Sequence, residues 1–118
     1  LVTKKRWKWS LAFAKEWAGR LRLSEWLITL QHMDMAETTL GQAQSVPESM
    51  SAVIALSSAL LERQEDKDIQ GTIIHELLHI VLTPLRNAAY NRYATEDMID
   101  TAEERAVLRL ERAFLEMI

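Results

Sequence analysis

From Trp7 to Leu23 the apolar residues Trp9, Leu11, Phe13, Trp17, Leu21 and Leu23 are spaced among lysines and arginines. That spacing predicts an amphipathic helix with Gly19 near its end. Trp26 to Met33 is β-prone, with Ile28, Leu30 and His32 on one face and Leu27, Thr29 and Gln31 on the other, and predicts a strand. Gln42 to Val46 is expected to pair with it as a second strand, ending at Pro47, which has no N–H for a ladder. Ser51 to Ser58 carries β-branched Val53 and Ile54 and suits a third strand, although Ala55, Leu56, Ala59, Leu60 and Leu61 also suit a helix.

Glu62 to Asp68 is a charge run without a core face, expected to be a loop leading into a helix capped by Asp66 or Asp68. That helix is apolar almost all round, at Ile69, Ile73, Ile74, Leu77, Leu78, Ile80, Val81 and Leu82, which predicts burial in the middle of the fold. Thr83-Pro84 should stop it, because the residue before a proline is pushed out of the helical region. A connector from Leu85 to about Thr95 holds Tyr90 and Tyr93, and a last helix is expected from about Glu96 to Met117. The order predicts an α+β fold: an N-terminal helix, a small two- to three-stranded sheet, a buried helix and a C-terminal helix. Residues 1–118 are the length of one domain.

Composition narrows the partners. With 48% hydrophobic and 26% charged residues the chain should fold by itself, and its net charge of −3 provides no overall attraction to nucleic acid or to an anionic membrane. Lys4, Lys5, Arg6 and Lys8 form a basic cluster that is most simply a solvated first turn, with Trp7 and Trp9 as core anchors rather than base-stacking platforms. There are no cysteines, which excludes disulfides, thiolate metal sites and a cysteine nucleophile. No run approaches the ~18 apolar residues of a membrane span. A soluble, cytoplasmic protein is the expectation.

Inside the buried helix stands His75-Glu76-Leu77-Leu78-His79. Two imidazoles at i, i+4 project from one helical face and can share a single Zn²⁺, with Glu76 placed to take a proton from water whose pKa zinc lowers toward about 7. A catalytic zinc normally takes three protein ligands. His32 is the only other histidine, and otherwise the last helix must supply a carboxylate. Glu103 shares a face with Ile99, Ala106, Leu110, Ala113, Phe114 and Met117, whereas Glu104 points with Asp100 and Glu111. Glu103 is therefore the expected buried carboxylate and the preferred third ligand, with Glu104 as the alternative. A non-metal role for Glu103 would be an ion pair with Arg86 or Arg92.

HELLH in a buried helix, a strand-rich segment before it and a glutamate within Ala102 to Val107 resemble the gluzincin metallopeptidases, in particular the very small minigluzincins. The resemblance implies that His75, His79 and Glu103 bind one Zn²⁺ and that Glu76 is general base and acid. Many gluzincins carry an Asp or Asn four residues after the ligand glutamate; that position is Val107 here, or Leu108 if Glu104 is the ligand. The partners of the imidazole N–H groups are then sought among Glu96, Asp97 and Asp100. A donor for the oxyanion is expected from Tyr90, the favoured choice because related enzymes place a tyrosine in the corresponding connector, with Tyr93 and His32 as alternatives. The expected activity is peptide hydrolysis on a peptide or unfolded segment laid along an edge strand, and the alternative is a zinc-binding scaffold without turnover.

Overall fold

Thr3 Oγ1 accepts the Arg6 N–H at 3.1 Å and starts helix α1, Lys4–Arg20, a turn earlier than the apolar spacing alone suggested. Ser10, Ala14 and Trp17 are buried at i, i+4 and i+7, the stripe by which α1 meets the core. The chain turns back at Arg22, in the left-handed region at φ 62°. The structure is a computed structural model and describes residues 1–90 and 95–118, Ala88 without its side chain. Tyr93 and Arg92, named above as candidates, lie outside the described residues.

Strands β1 (Leu27–Met33), β2 (Gly41–Val46) and β3 (Ser51–Ser57) form one sheet in the order β1-β3-β2. The expected pairing of the Gln42 to Val46 segment with β1 is corrected: β3 lies between them, parallel to β1 and antiparallel to β2. Two features account for this. Pro47–Ser49 makes a single 3₁₀ turn, closed by Met50 at φ 50°, and this short link lets β3 fold straight back on β2. β3 also carries the most apolar inner face, Ala52, Ile54 and Leu56, which is best removed from water at the centre of the sheet.

The ambiguous run from Ser51 to Leu61 proves to be both elements in turn. β3 ends at Ser57, whose hydroxyl accepts the Leu60 N–H and caps a short helix α2, Ser58–Arg63, with Leu60 and Leu61 buried. The charge run is therefore mostly helix, Glu62 and Arg63 ending α2 and Asp66 to Asp68 opening the next helix. Helix α3, Asp66–Val81, starts from Glu65; neither Asp66 nor Asp68 is its cap, and both sit in the first turn, where a negative charge suits the helix dipole. Arg6 reaches Asp66 at 3.1 Å and ties α1 to this end of α3.

Ile69, Ile73, Ile74, Leu77, Leu78 and Ile80 are almost fully buried, so α3 is the central element, against the sheet on one side and against α1 and α5 on others. It ends at Val81, as the proline predicted, but the expected connector from Leu85 is corrected to a further helix, α4, Thr83–Tyr90. Pro84 stands in its first turn, where a missing N–H leaves no bond unmade. Helix α5, Glu96–Leu115, is capped by Thr95 through the Met98 N–H. Among the described residues five α-helices and a three-stranded sheet make the α+β architecture expected, and no described helix is long and apolar enough to cross a membrane.

Gly71 sets how closely α5 lies on α3. A Cβ there would fall 3.1 Å from Leu115 Cδ1 and 3.8 Å from a Glu111 carboxylate oxygen. Gly71→Ala should change stability little, because a flexible leucine end yields and alanine favours helix. Gly71→Val should lower the unfolding free energy by about 1–3 kcal/mol by pushing the helices apart. Urea unfolding of both variants checks this; equal effects would show that the approach at Gly71 is not tight.

Candidate metal centre

His75 and His79 emerge from α3 with ring centroids 5.0 Å apart, at the floor of a groove of about 1060 Å³ between β2, α3, α4 and α5. α5 faces them with three carboxylates. His75 Nδ1 lies 2.6 Å from Glu111 Oε1, and His79 Nδ1 is hydrogen-bonded to Glu103 Oε2. A carboxylate only accepts, so each Nδ1 carries a proton and each Nε2 in the neutral ring is left as a lone pair. Those lone pairs face Glu104: His79 Nε2 is 2.6 Å and His75 Nε2 3.5 Å from its two oxygens.

Acceptors this close need a cation between them, either a proton on the imidazole or a metal ion. One ligand atom from each of His75, His79 and Glu104 lies within 4.8 Å of the others, and the set is compatible with one metal ion. Two imidazoles and a carboxylate are a donor set that suits zinc. The residues present therefore fit the metal.

Glu103 was the expected third ligand; the carboxylate whose oxygens the structure brings together with both imidazoles is that of Glu104. The helical-face argument ranked burial correctly, since the Glu103 side chain is 10% exposed and that of Glu104 48%. Burial selects a different role, however. A buried carboxylate must be compensated by the protein itself, and Glu103 accepts from Arg86 Nη1 at 2.8 Å and from His79. That is the ion pair that was its alternative role. Both glutamates line the groove, and it is Glu104 whose oxygens face the two Nε2 atoms.

The search for imidazole partners among Glu96, Asp97 and Asp100 is corrected likewise. Glu103 orients His79 and Glu111 orients His75, the carboxylate–histidine pairing that fixes a ligand's tautomer and direction. Val107 is fully buried in the core. Glu111 was missed because only a four-residue spacing was tested; it stands seven residues after Glu104, two turns along the same face. Asp100 instead binds Arg86 at 2.5 Å. Hydrogen bonds to Glu103 and then Asp100 hold the Arg86 guanidinium protonated even more firmly than usual.

Tyr90 is placed on α4, where its phenol oxygen accepts from Arg86 Nη2 at 2.6 Å and lies 3.5 Å from Glu96. It does not line the groove, whereas Arg86 and Asn87 do. His32 is no third ligand in this arrangement: it stands in β1 with Nδ1 3.0 Å from Ser58 Oγ and its ring against Trp7.

Glu76 is 6% exposed, covered by the start of β2. Gly41 makes that cover possible, because a Cβ there would lie 3.1 Å from Thr72 Cγ2, 3.2 Å from the Ala55 carbonyl oxygen and 3.4 Å from Glu76 Cγ. Burial pushes the Glu76 carboxyl up to about 7; His75 opposes the rise, while Glu104 and Glu111 add to it.

In this α+β fold the central helix carries HELLH and a carboxylate closes on both histidines. The family model of the SprT-like family matches residues 3–94, and the chain belongs to that family. The match takes in α1 to α4 and the HELLH helix and stops before α5, so Glu103, Glu104 and Glu111 lie beyond it. No curated protein and no solved structure matches the chain.

The raised Glu76 carboxyl makes a stability prediction for metal-free protein. The folded state holds this proton up to about 7 against an ordinary value of 4.5, so ionising Glu76 costs stability as pH rises between the two. Glu76→Gln should therefore be more stable than wild type at pH above about 7, by at most about 3 kcal/mol, and gain nothing at pH about 4. Urea unfolding in the presence of a chelator at both pH values measures the difference. A gain that is the same at both would rule out ionisation as its cause.

Proposed function

We propose that this chain is a zinc-dependent metallopeptidase that hydrolyses extended peptides or unfolded segments. The observation that supports it most directly is the convergence of His75 Nε2, His79 Nε2 and the Glu104 carboxylate at the groove floor, with the buried Glu76 next to them in α3. His75, His79 and Glu104 would hold the ion, and Glu111 and Glu103 would keep the two rings turned toward it. When bound, zinc supplies Lewis-acid polarisation of a carbonyl and makes water acidic enough to lose a proton near neutral pH.

Glu76 would take a proton from water as the water oxygen bonds to the scissile carbonyl carbon, and pass it to the leaving amine as the C–N bond breaks. Its burial suits both halves of the task. A carboxyl drawn toward neutrality is a better acceptor when ionised and remains able to release the proton afterwards. Gly41, Gln42, Ala43 and Ser45 of β2 line the groove, and β2 is an edge strand. An extended backbone can add to that edge by main-chain hydrogen bonds, which favours an unfolded chain over a folded surface. Ser45 Oγ bonds to Thr83 Oγ1 at 3.1 Å, and Thr83 Oγ1 donates to the His79 carbonyl at 3.0 Å, which fastens this strand to the metal helix.

Elemental analysis and peptide-cleavage assays of one variant series test the reading. His75→Ala, His79→Ala and Glu104→Ala should lose stoichiometric zinc. Glu103→Ala and Glu111→Ala should keep it at saturation but bind it about 10–100-fold more weakly, as removal of an imidazole's partner does. Full zinc occupancy in Glu104→Ala together with none in Glu103→Ala would reverse the ligand assignment. Glu76→Gln should retain zinc and lose peptide cleavage by at least about 100-fold. Equal cleavage by wild type and this variant would leave a zinc-binding scaffold and not an enzyme.

A further inference from the structure

The sheet has a second edge, away from the groove. β1 pairs only with β3 among the described residues. The Leu27 N–H donates to the Met50 carbonyl at 2.9 Å, so the backbone of Leu27 points at β3, and by the alternation of a strand so do those of Thr29, Gln31 and Met33. Ile28, Leu30 and His32 therefore present their N–H and C=O groups outward. No backbone hydrogen bond among the described residues reaches them.

Proteins ordinarily protect such an edge with a charge, a proline, a bulge or a very short strand. Leu27–Met33 (LITLQHM) contains no Lys, Arg, Asp, Glu, Pro or Gly, and its register with β3 runs unbroken over seven residues. Its outer face also exposes apolar side chains at the two ends, Leu27 at 72% and Met33 at 44%.

The outward groups are symmetric about Leu30, so a second copy can take this edge in antiparallel register, and the apolar ends Leu27 and Met33 favour it by meeting each other. An antiparallel second copy centred there sets Leu30 opposite the partner's Leu30 and Ile28 opposite the partner's His32. Every such pair joins residues whose backbones both point into the interface, so each exchanges two hydrogen bonds. The pairs between them, Leu27 with the partner's Met33 and Thr29 with the partner's Gln31, bring side chains together on the outer face, where the closer non-bonded spacing holds. The exposed Leu27 and Met33 would cover each other. No charged residue of the strand meets a like charge. From these features the geometry points to a two-fold homodimer formed by β1 against β1, which joins the two sheets into one and leaves both β2 edges and both grooves open.

Sedimentation of the zinc-loaded chain from about 1 to about 300 µM, the range of a small interface, should show the mass rising from 13.6 kDa toward twice that value. Thr29→Lys/Gln31→Lys places lysines opposite lysines across the interface on a face that is solvent-exposed in the monomer. It should remain monomeric at every concentration with unchanged circular dichroism and zinc content. Thr29→Cys/Gln31→Cys introduces the only thiols in the chain and should oxidise to a covalent dimer. A wild type that stays monomeric over the whole range, a lysine variant that dimerises as wild type does, or a cysteine variant that forms no covalent dimer would each overturn the proposal.

Discussion

Gly71 lets Leu115 and Glu111 press onto α3, and that approach determines which groups of α5 meet the two imidazoles. Helix α5 faces the groove with Glu104, Leu108, Glu111 and Leu115, a stripe at i, i+4, i+7 and i+11. With the helices seated at this distance, Glu104 reaches both Nε2 atoms and Glu111 reaches a Nδ1. A wider separation would leave two histidines without oriented partners.

Charge explains why this packing suits a cation. Glu76, Glu103, Glu104 and Glu111 crowd around His75 and His79, and Arg86 compensates Glu103. Among the described residues no lysine or arginine pairs with Glu104, which faces two imidazole nitrogens. Burial is the main cause of the raised Glu76 carboxyl, and a divalent ion held by these donors would offset the smaller contribution that Glu104 and Glu111 add to it.

The sheet separates two tasks. β2 lies over Glu76 through Gly41 and is fastened to the end of the metal helix through Ser45 and Thr83, so its free edge belongs to the groove. β1 lies on the far side, uncharged and unblunted. Placing β3 between them keeps an association at one edge from closing the other.

Much of this was legible in the chain by itself. The α+β order, the central buried helix, its end before Pro84 and the i, i+4 pair of histidines follow from local periodicity and backbone stereochemistry, which act within a few residues. Periodicity also told correctly which of two adjacent glutamates is buried. It could not tell what burial was for. The roles of Glu103, Glu104 and Glu111 depend on how far α5 stands from α3, and the pairing order β1-β3-β2 depends on which strand has most apolar surface to hide; both are distances and areas between segments remote in sequence. The sequence by itself determined that two imidazoles would point one way from a buried helix. Only tertiary packing decided which carboxylate closes on them, because that choice rests on contact between helices and not on the helical face alone.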